Sequence, residues 1–195
     1  MSDINKVKND LWEAANKLRA ESNLKTGEFS VPVLGLIFLR FADFKFSDAK
    51  KKLDIELKEL SERRLANFDE RTWFHDKGVL YLKEEARFSH LMHLPEGADL
   101  SKALQDAMSS IEHENLSLKD VLPKNFNRIE KPLLFALMKI FNKMKIETVQ
   151  GDAFGKIYEY FLGKFASSEG QRGGEFFTPT SIVRLIVEVL KPIEG

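Results

Sequence analysis

VPVLGLIFLRFADF, residues 31–44, carries apolar side chains on every side of a helical wheel. At about 100° per residue, Val33, Leu34, Leu36, Ile37, Phe38, Leu39, Phe41 and Phe44 leave no polar stripe wide enough to face water. A helix of that kind is a buried centre, and the spacing predicts it over residues 32 to about 46. Ser30 is a suitable N-cap and Pro32 a first-turn proline. Working outward, Thr26-Gly27 separates this core from an amphipathic helix over residues 5–20, whose stripe is Val7, Leu11, Ala14, Ala15 and Leu18. On the other side, residues 50–65 set charges around Leu53, Ile55, Leu57, Leu60 and Leu65 and read as a more exposed continuation.

Residues 71–94 change texture. Trp73, Val79, Tyr81, Phe88 and Leu91 follow no 3.6-residue period and Gly78 lies among them, so a loop with short extended pieces is expected. Helical order returns at Asp99, an N-cap for Leu100, Ala103, Leu104, Ala107, Met108 and Ile111. Pro132 opens the stripe Leu133, Leu134, Leu137, Met138, Phe141 and Met144, and Asp152 caps another through Phe154, Ile157, Tyr158, Phe161, Leu162 and Phe165. The fold class is therefore mainly α, a bundle of five or six helices with an irregular middle segment.

After that bundle, residues 167–174 read SSEGQRGG, a connector without an apolar side chain. Thr178 and Pro179 then start one more helix, with Ile182, Val183, Leu185, Ile186, Val189 and Leu190 on its buried face. A lone helix after a complete bundle is expected to open a second domain. The division that follows is a helical domain over residues 1–166, a linker over 167–174 and the first segment of another domain over 175–195.

Composition excludes several kinds of chemistry. The 195 residues contain no cysteine, which removes disulfides, thiol catalysis and thiolate metal sites. No run approaches the ~18 apolar residues of a membrane span, the start MSDINKVKND lacks a secretory core, and a cytoplasmic location without membrane contact is expected. Thirty basic side chains balance thirty acidic ones. The balance is uneven along the chain. Residues 96–120 hold six acids and two bases, whereas residues 123–145 hold one acid and six bases: Lys124, Arg128, Lys131, Lys139, Lys143 and Lys145. Either the two stretches are solvated faces that neutralise each other, or the basic one lines a polyanion.

There is no Gly-x-Gly for a dinucleotide or phosphate loop, no Gly-x-Ser-x-Gly and no His-Glu-x-x-His. His90 and His93 are a close pair without carboxylate support, so no metal site is assigned. Glu112, His113, Glu114 and Asn115 end an amphipathic helix and read as its solvated C-terminus, and no catalytic residue is assigned. One constellation has a mechanism: Gly173-Gly174-Glu175-Phe176-Phe177-Thr178-Pro179. Two glycines let backbone approach a ligand, two adjacent rings point to opposite sides, and a helix N-terminus offers free N–H groups to an anion.

GGEFFTPTSIVRLIVEVLKP, at residues 173–192, resembles the opening of the methyltransferase domain in the modification (M) subunit of type I restriction-modification systems, the adenine-specific DNA methyltransferases. VPVLGLIFLRFAD at 31–43, LSKALQDAMSSIEHEN at 100–115 and GDAFGKIYEYFLGKFASSEGQRGGEFFTP at 151–179 agree with the same family, in order and over nearly the whole chain. The resemblance implies a helical N-terminal domain followed by the first helix of an α/β methyltransferase domain. It also implies that Glu175, Phe176, Phe177, Thr178, Pro179 and Thr180 contact S-adenosylmethionine in the parent subunit. Its partners would be DNA, the specificity subunit, a second modification subunit and, in the full complex, the restriction subunit.

The departures matter equally. The family's glycine-rich loop and its Asn-Pro-Pro-aromatic motif are missing, and no Asn-Pro dipeptide occurs. Transfer of a methyl group to a flipped adenine needs both. The chain therefore reads as a truncation or split product, inactive alone and a poor binder of the cofactor. The alternative is a non-enzymatic helical module for DNA or protein binding, with Lys124, Arg128, Lys131, Lys139, Lys143 and Lys145 as the DNA contacts.

Overall fold

A computed structural model describes residues 3–21, 24–59, 67–95, 97–143 and 153–168. Seven α-helices occur in these residues: α1 (Asp3–Glu21), α2 (Thr26–Lys58), α3 (Glu70–Asp76), α4 (Phe88–Leu91), α5 (Leu100–Glu114), α6 (Lys131–Asn142) and α7 (Ala153–Ser168). No strand occurs among them, and no helix is long and apolar enough to cross a membrane. The mainly α reading holds. Helix α7 runs through Ser168, so Ser167 and Ser168 are its last residues rather than connector.

Helix α2 is the axis, and its buried residues run from Phe29 to Leu53. Helices α6 and α7 pack on it, and α1 packs on both of those. The join is aromatic: Trp12 of α1 meets Phe161 and Phe165 of α7 edge-on at 5.7 and 5.1 Å, Phe165 meets Phe29 of α2 at 6.2 Å, and Phe161 meets Phe141 of α6 at 6.2 Å. Edge-to-face pairs of this kind add about 0.5–1.5 kcal/mol each beyond area burial.

Two expectations change. Helix α2 begins at Thr26, not at Pro32, and passes through the proline. A proline inside a helix removes a backbone bond and costs about 3 kcal/mol. Burial offsets that cost, because Phe29 and Val33 on either side are fully inside the core, each gaining about 1.5–3 kcal/mol. The first turn is closed by the Lys25 N–H donating to Glu28 Oε2 at 3.2 Å. The second change concerns residues 71–94, which hold α3, a 3₁₀ turn at Glu84–Ala86 and α4 rather than extended pieces. Helices of seven and four residues are too short to show a period. Asp69 caps α3 by accepting from the Arg71 N–H at 3.2 Å, and Phe74 and Phe88 are buried beneath.

The irregular segment is tied down by charge. Asp43 of α2, 3% exposed, accepts from Arg87 Nε at 2.9 Å and from the Ser89 N–H at 3.0 Å. Phe46, one helical turn further, stacks on Phe74 at 4.5 Å. Two other expected caps differ in outcome: Asp99 accepts from the Lys102 N–H at 3.3 Å and starts α5, while Asp152 lies outside the described residues.

Candidate nucleic-acid interface

Helix α6 starts where Pro132, near its N-terminus, needs no N–H partner. Its apolar stripe faces inward, with Leu134, Leu137, Met138 and Phe141 fully buried. Lys131, Pro132, Phe135, Lys139, Asn142 and Lys143 are exposed. Lys139 Nζ stands 4.5 Å from the centre of the Phe135 ring, a contact that orients the ammonium without neutralising it.

The structure divides the six basic residues read from the sequence. Lys124 Nζ donates to Glu112 Oε2 at 2.5 Å and is turned into the fold. Arg128 Nη1 pairs with Glu28 Oε1 at 3.5 Å, an ion pair at the surface. Lys131, Lys139 and Lys143 lie on one side of α6 and form no ion pair among the described residues. Lys145 lies outside the described residues, as do Glu175, Phe176, Phe177, Thr178, Pro179 and Thr180.

The C-terminal end of α5 is the largest correction. Glu112, Glu114 and Asn115 do not face water; they are 7%, 7% and 3% exposed. Glu114 accepts from Lys83 at 2.8 Å, from His113 Nδ1 at 3.1 Å and from Arg71 at 3.2 Å. Lys83 above all, then His113, holds its carboxyl down at about 2 against the burial that pushes it up. For Glu112, burial pushes up most, but the Lys124 ammonium and the Leu122 N–H, at 2.7 Å, hold it below the usual carboxylate range. Asn115 spends all four hydrogen-bonding positions: Nδ2 donates to the Tyr81 and Ile111 carbonyls at 2.9 and 2.8 Å, and Oδ1 accepts from the Tyr81 N–H at 2.9 Å with His75 Nε2 at 3.0 Å.

This hub fastens the irregular segment to α5. The partners that Glu114 and Asn115 find in the irregular segment, Lys83, Tyr81, His75 and Arg71, stand 31 to 43 residues away in the chain, so nothing local in the sequence points to it. An open cleft of about 800 Å³ beside it is lined by Arg71, His75, His113, Glu114 and Asn115. Every polar position of Asn115 in that lining is already used, so the cleft is a by-product of a structural lock. Among the described residues no group of three or more His, Asp or Glu side chains converges as a metal would require, and His93 Nδ1 is engaged with the Ser89 carbonyl at 2.7 Å.

Apolar surface gathers elsewhere, where Leu34, Phe38, Leu118 and Tyr158 line a cleft whose rim includes Val31 and Val121, 44% and 67% exposed. Large aliphatic side chains so placed are the kind of surface that associations cover.

Comparison with known proteins agrees with this architecture. The family described as HsdM N-terminal domain matches residues 7–141, and the family described as N-6 DNA Methylase matches residues 149–195. The chain is 34% identical, over 93% of its length, to the type I restriction enzyme MjaIX methylase subunit of Methanocaldococcus jannaschii, of which it covers 35%. It is 38% identical over 52% of its length to the HindI methylase subunit of Haemophilus influenzae, covering 26% of that protein. With the MpnII methylase subunit of Mycoplasma pneumoniae it shares 26% identity over 95% of its length and 39% of the relative's. The chain thus spans between about a quarter and two fifths of the length of these relatives.

Proposed function

The chain belongs to the HsdM N-terminal domain family, and from that premise we propose that it is the N-terminal part of an adenine-specific DNA methyltransferase subunit in a type I restriction-modification complex. The observation that carries the reading is the order of the two family matches, helical domain first and methylase second, over almost the whole chain. In this reading the bundle supplies contacts to DNA backbone and to the specificity subunit, the second modification subunit and the restriction subunit. The cleft rimmed by Val31 and Val121 supports a subunit contact, and the α6 lysines, which form no ion pair among the described residues, support a contact to phosphate.

S-adenosylmethionine belongs to the parent enzyme, where Glu175, Phe176, Phe177, Thr178, Pro179 and Thr180 form one edge of its site. When bound there it supplies the methyl group. The present residues include neither the glycine-rich loop nor the Asn-Pro-Pro-aromatic clamp for adenine, so transfer belongs to the remainder of the subunit. The test supplies radiolabelled S-adenosylmethionine and duplex DNA to two samples. Purified chain alone is expected to leave the DNA unlabelled. The same chain extended through its downstream reading frame, with the specificity subunit, is expected to label adenine N6. Transfer by the chain alone, or an extended subunit that labels no adenine, would overturn the reading.

A further inference from the structure

Positions around α6 advance by about 100° per residue, so Lys131, Pro132, Phe135, Lys139, Asn142 and Lys143 share an arc of about 120°, and all six are exposed. The arc holds three ammonium groups and no carboxylate. Exposed positions on the other long helices mix the two signs. Helix α2 pairs Lys52 with Asp48 at 2.8 Å, α5 exposes Lys102 near Asp106, and α7 exposes Lys156 near Glu159. A merely solvated face has that mixed character. An unmixed one, whose ammonium groups form no ion pair among the described residues, raises the local concentration of an anionic partner.

We propose that the outer arc of α6 is the surface that follows the sugar-phosphate backbone of duplex DNA, with Lys131, Lys139 and Lys143 each neutralising a phosphate. The proposal rests on the DNA-methyltransferase reading and narrows it to three side chains. From Lys131 to Lys143 the helix advances about 18 Å, and one DNA strand carries a phosphate for every ~3.4 Å of duplex axis, so the row is long enough for its three lysines to reach separate phosphates. Phe135, 42% exposed between them, holds the Lys139 ammonium at 4.5 Å over its ring and keeps it on the outer side. Lys124 and Arg128 take no part, because Glu112 and Glu28 already face their charges.

The experiment measures affinity of the full chain for a short labelled duplex of arbitrary sequence across roughly 50 to 200 mM salt. Wild-type chain is expected to bind with a steep salt slope. A triple variant, Lys131→Gln, Lys139→Gln and Lys143→Gln, should reduce that slope by about 0.9 per lysine, about 2.7 in all. The pair Lys124→Gln and Arg128→Gln should leave it unchanged. Circular dichroism on both variants confirms the fold. If the triple variant keeps the wild-type slope, or the double variant loses it, the assignment to α6 is wrong while the DNA reading stands. If wild-type chain shows no affinity for the duplex, both fail.

Discussion

Lys124 Nζ lies 2.5 Å from Glu112 Oε2, with the carboxylate almost wholly buried and the lysine two-thirds covered. A basic residue that the linear sequence places in a polyanion-binding run is thus spent on holding the loop after α5 against that helix. Replacing Lys124 by Ala removes the one ammonium partner and leaves the buried carboxylate to backbone N–H groups such as that of Leu122. Loss of a hydrogen bond to a charged group typically costs about 1.5–3 kcal/mol, and partial exposure of the lysine places this case at about 1–2 kcal/mol. Thermal denaturation should show a lower Tm for Lys124→Ala, with DNA affinity unchanged.

Asn115 fastens Tyr81 to the end of α5 through both of its backbone groups. Removing the side chain in Asn115→Ala leaves the Tyr81 N–H and carbonyl without this partner, at about 1–3 kcal/mol for each buried group left unsatisfied. A loss of about 2–4 kcal/mol is expected in urea denaturation. Asn115→Asp should not restore stability, because a carboxylate accepts but cannot donate to the Tyr81 and Ile111 carbonyls. Wild-type stability in either variant would contradict the role assigned to this residue.

Glu114, held at about 2 by Lys83, His113 and Arg71, makes stability depend on acid. Its folded value lies below its ordinary value of 4.5. The contribution is therefore fully present above about pH 4.5 and is lost as pH falls through the range toward 2. Wild-type chain should be more stable than Glu114→Gln at neutral pH, and the difference should shrink toward pH 2. Tm measured on both chains across that range checks it. A difference that stays constant with pH would show that the charge is not the cause.

A Cβ placed on Gly35 would stand 2.5 Å from Pro123 Cγ and 3.3 Å from Phe126 Cζ. Glycine here lets α2 approach the loop between α5 and α6. Alanine favours an exposed helix interior by roughly 1 kcal/mol, but overpacking at a rigid proline ring costs about 1–3 kcal/mol. Gly35→Ala should therefore lower Tm, and a raised Tm would mean that the loop yields freely.

Long amphipathic stripes were legible in the sequence because periodicity, an aspartate cap and a proline all agree: Asp99 starts α5 and Pro132 lies in the first turn of α6. The start of α2 was not, since the cost of Pro32 is local while the burial of Phe29 that offsets it comes from Phe165, far along the chain. Helices α3 and α4 are too short for any period to register. On the candidate interface, Lys131, Lys139 and Lys143 could be named from charge alone, and Phe135 stands off the stripe of Leu133, Leu134, Leu137 and Met138. What the sequence could not separate was Lys124 from those lysines, because its partner is fixed by how two elements pack. The buried hub of Glu112, Glu114 and Asn115 reads as solvated from sequence for the same reason: Arg71 and Lys83 reach Glu114 from a segment without regular pattern, and Lys124 reaches Glu112 from the loop after α5.

On the proposed reading this bundle grips DNA through the outer arc of α6. Lysine acetylation of the full chain, with and without duplex DNA and read residue by residue in a mass spectrometer, distinguishes bound from free lysines. Lys131, Lys139 and Lys143 should be protected when DNA is present, while the exposed Lys51, Lys52 and Lys102 react as before. Equal reactivity of the three α6 lysines with and without bound DNA would contradict it.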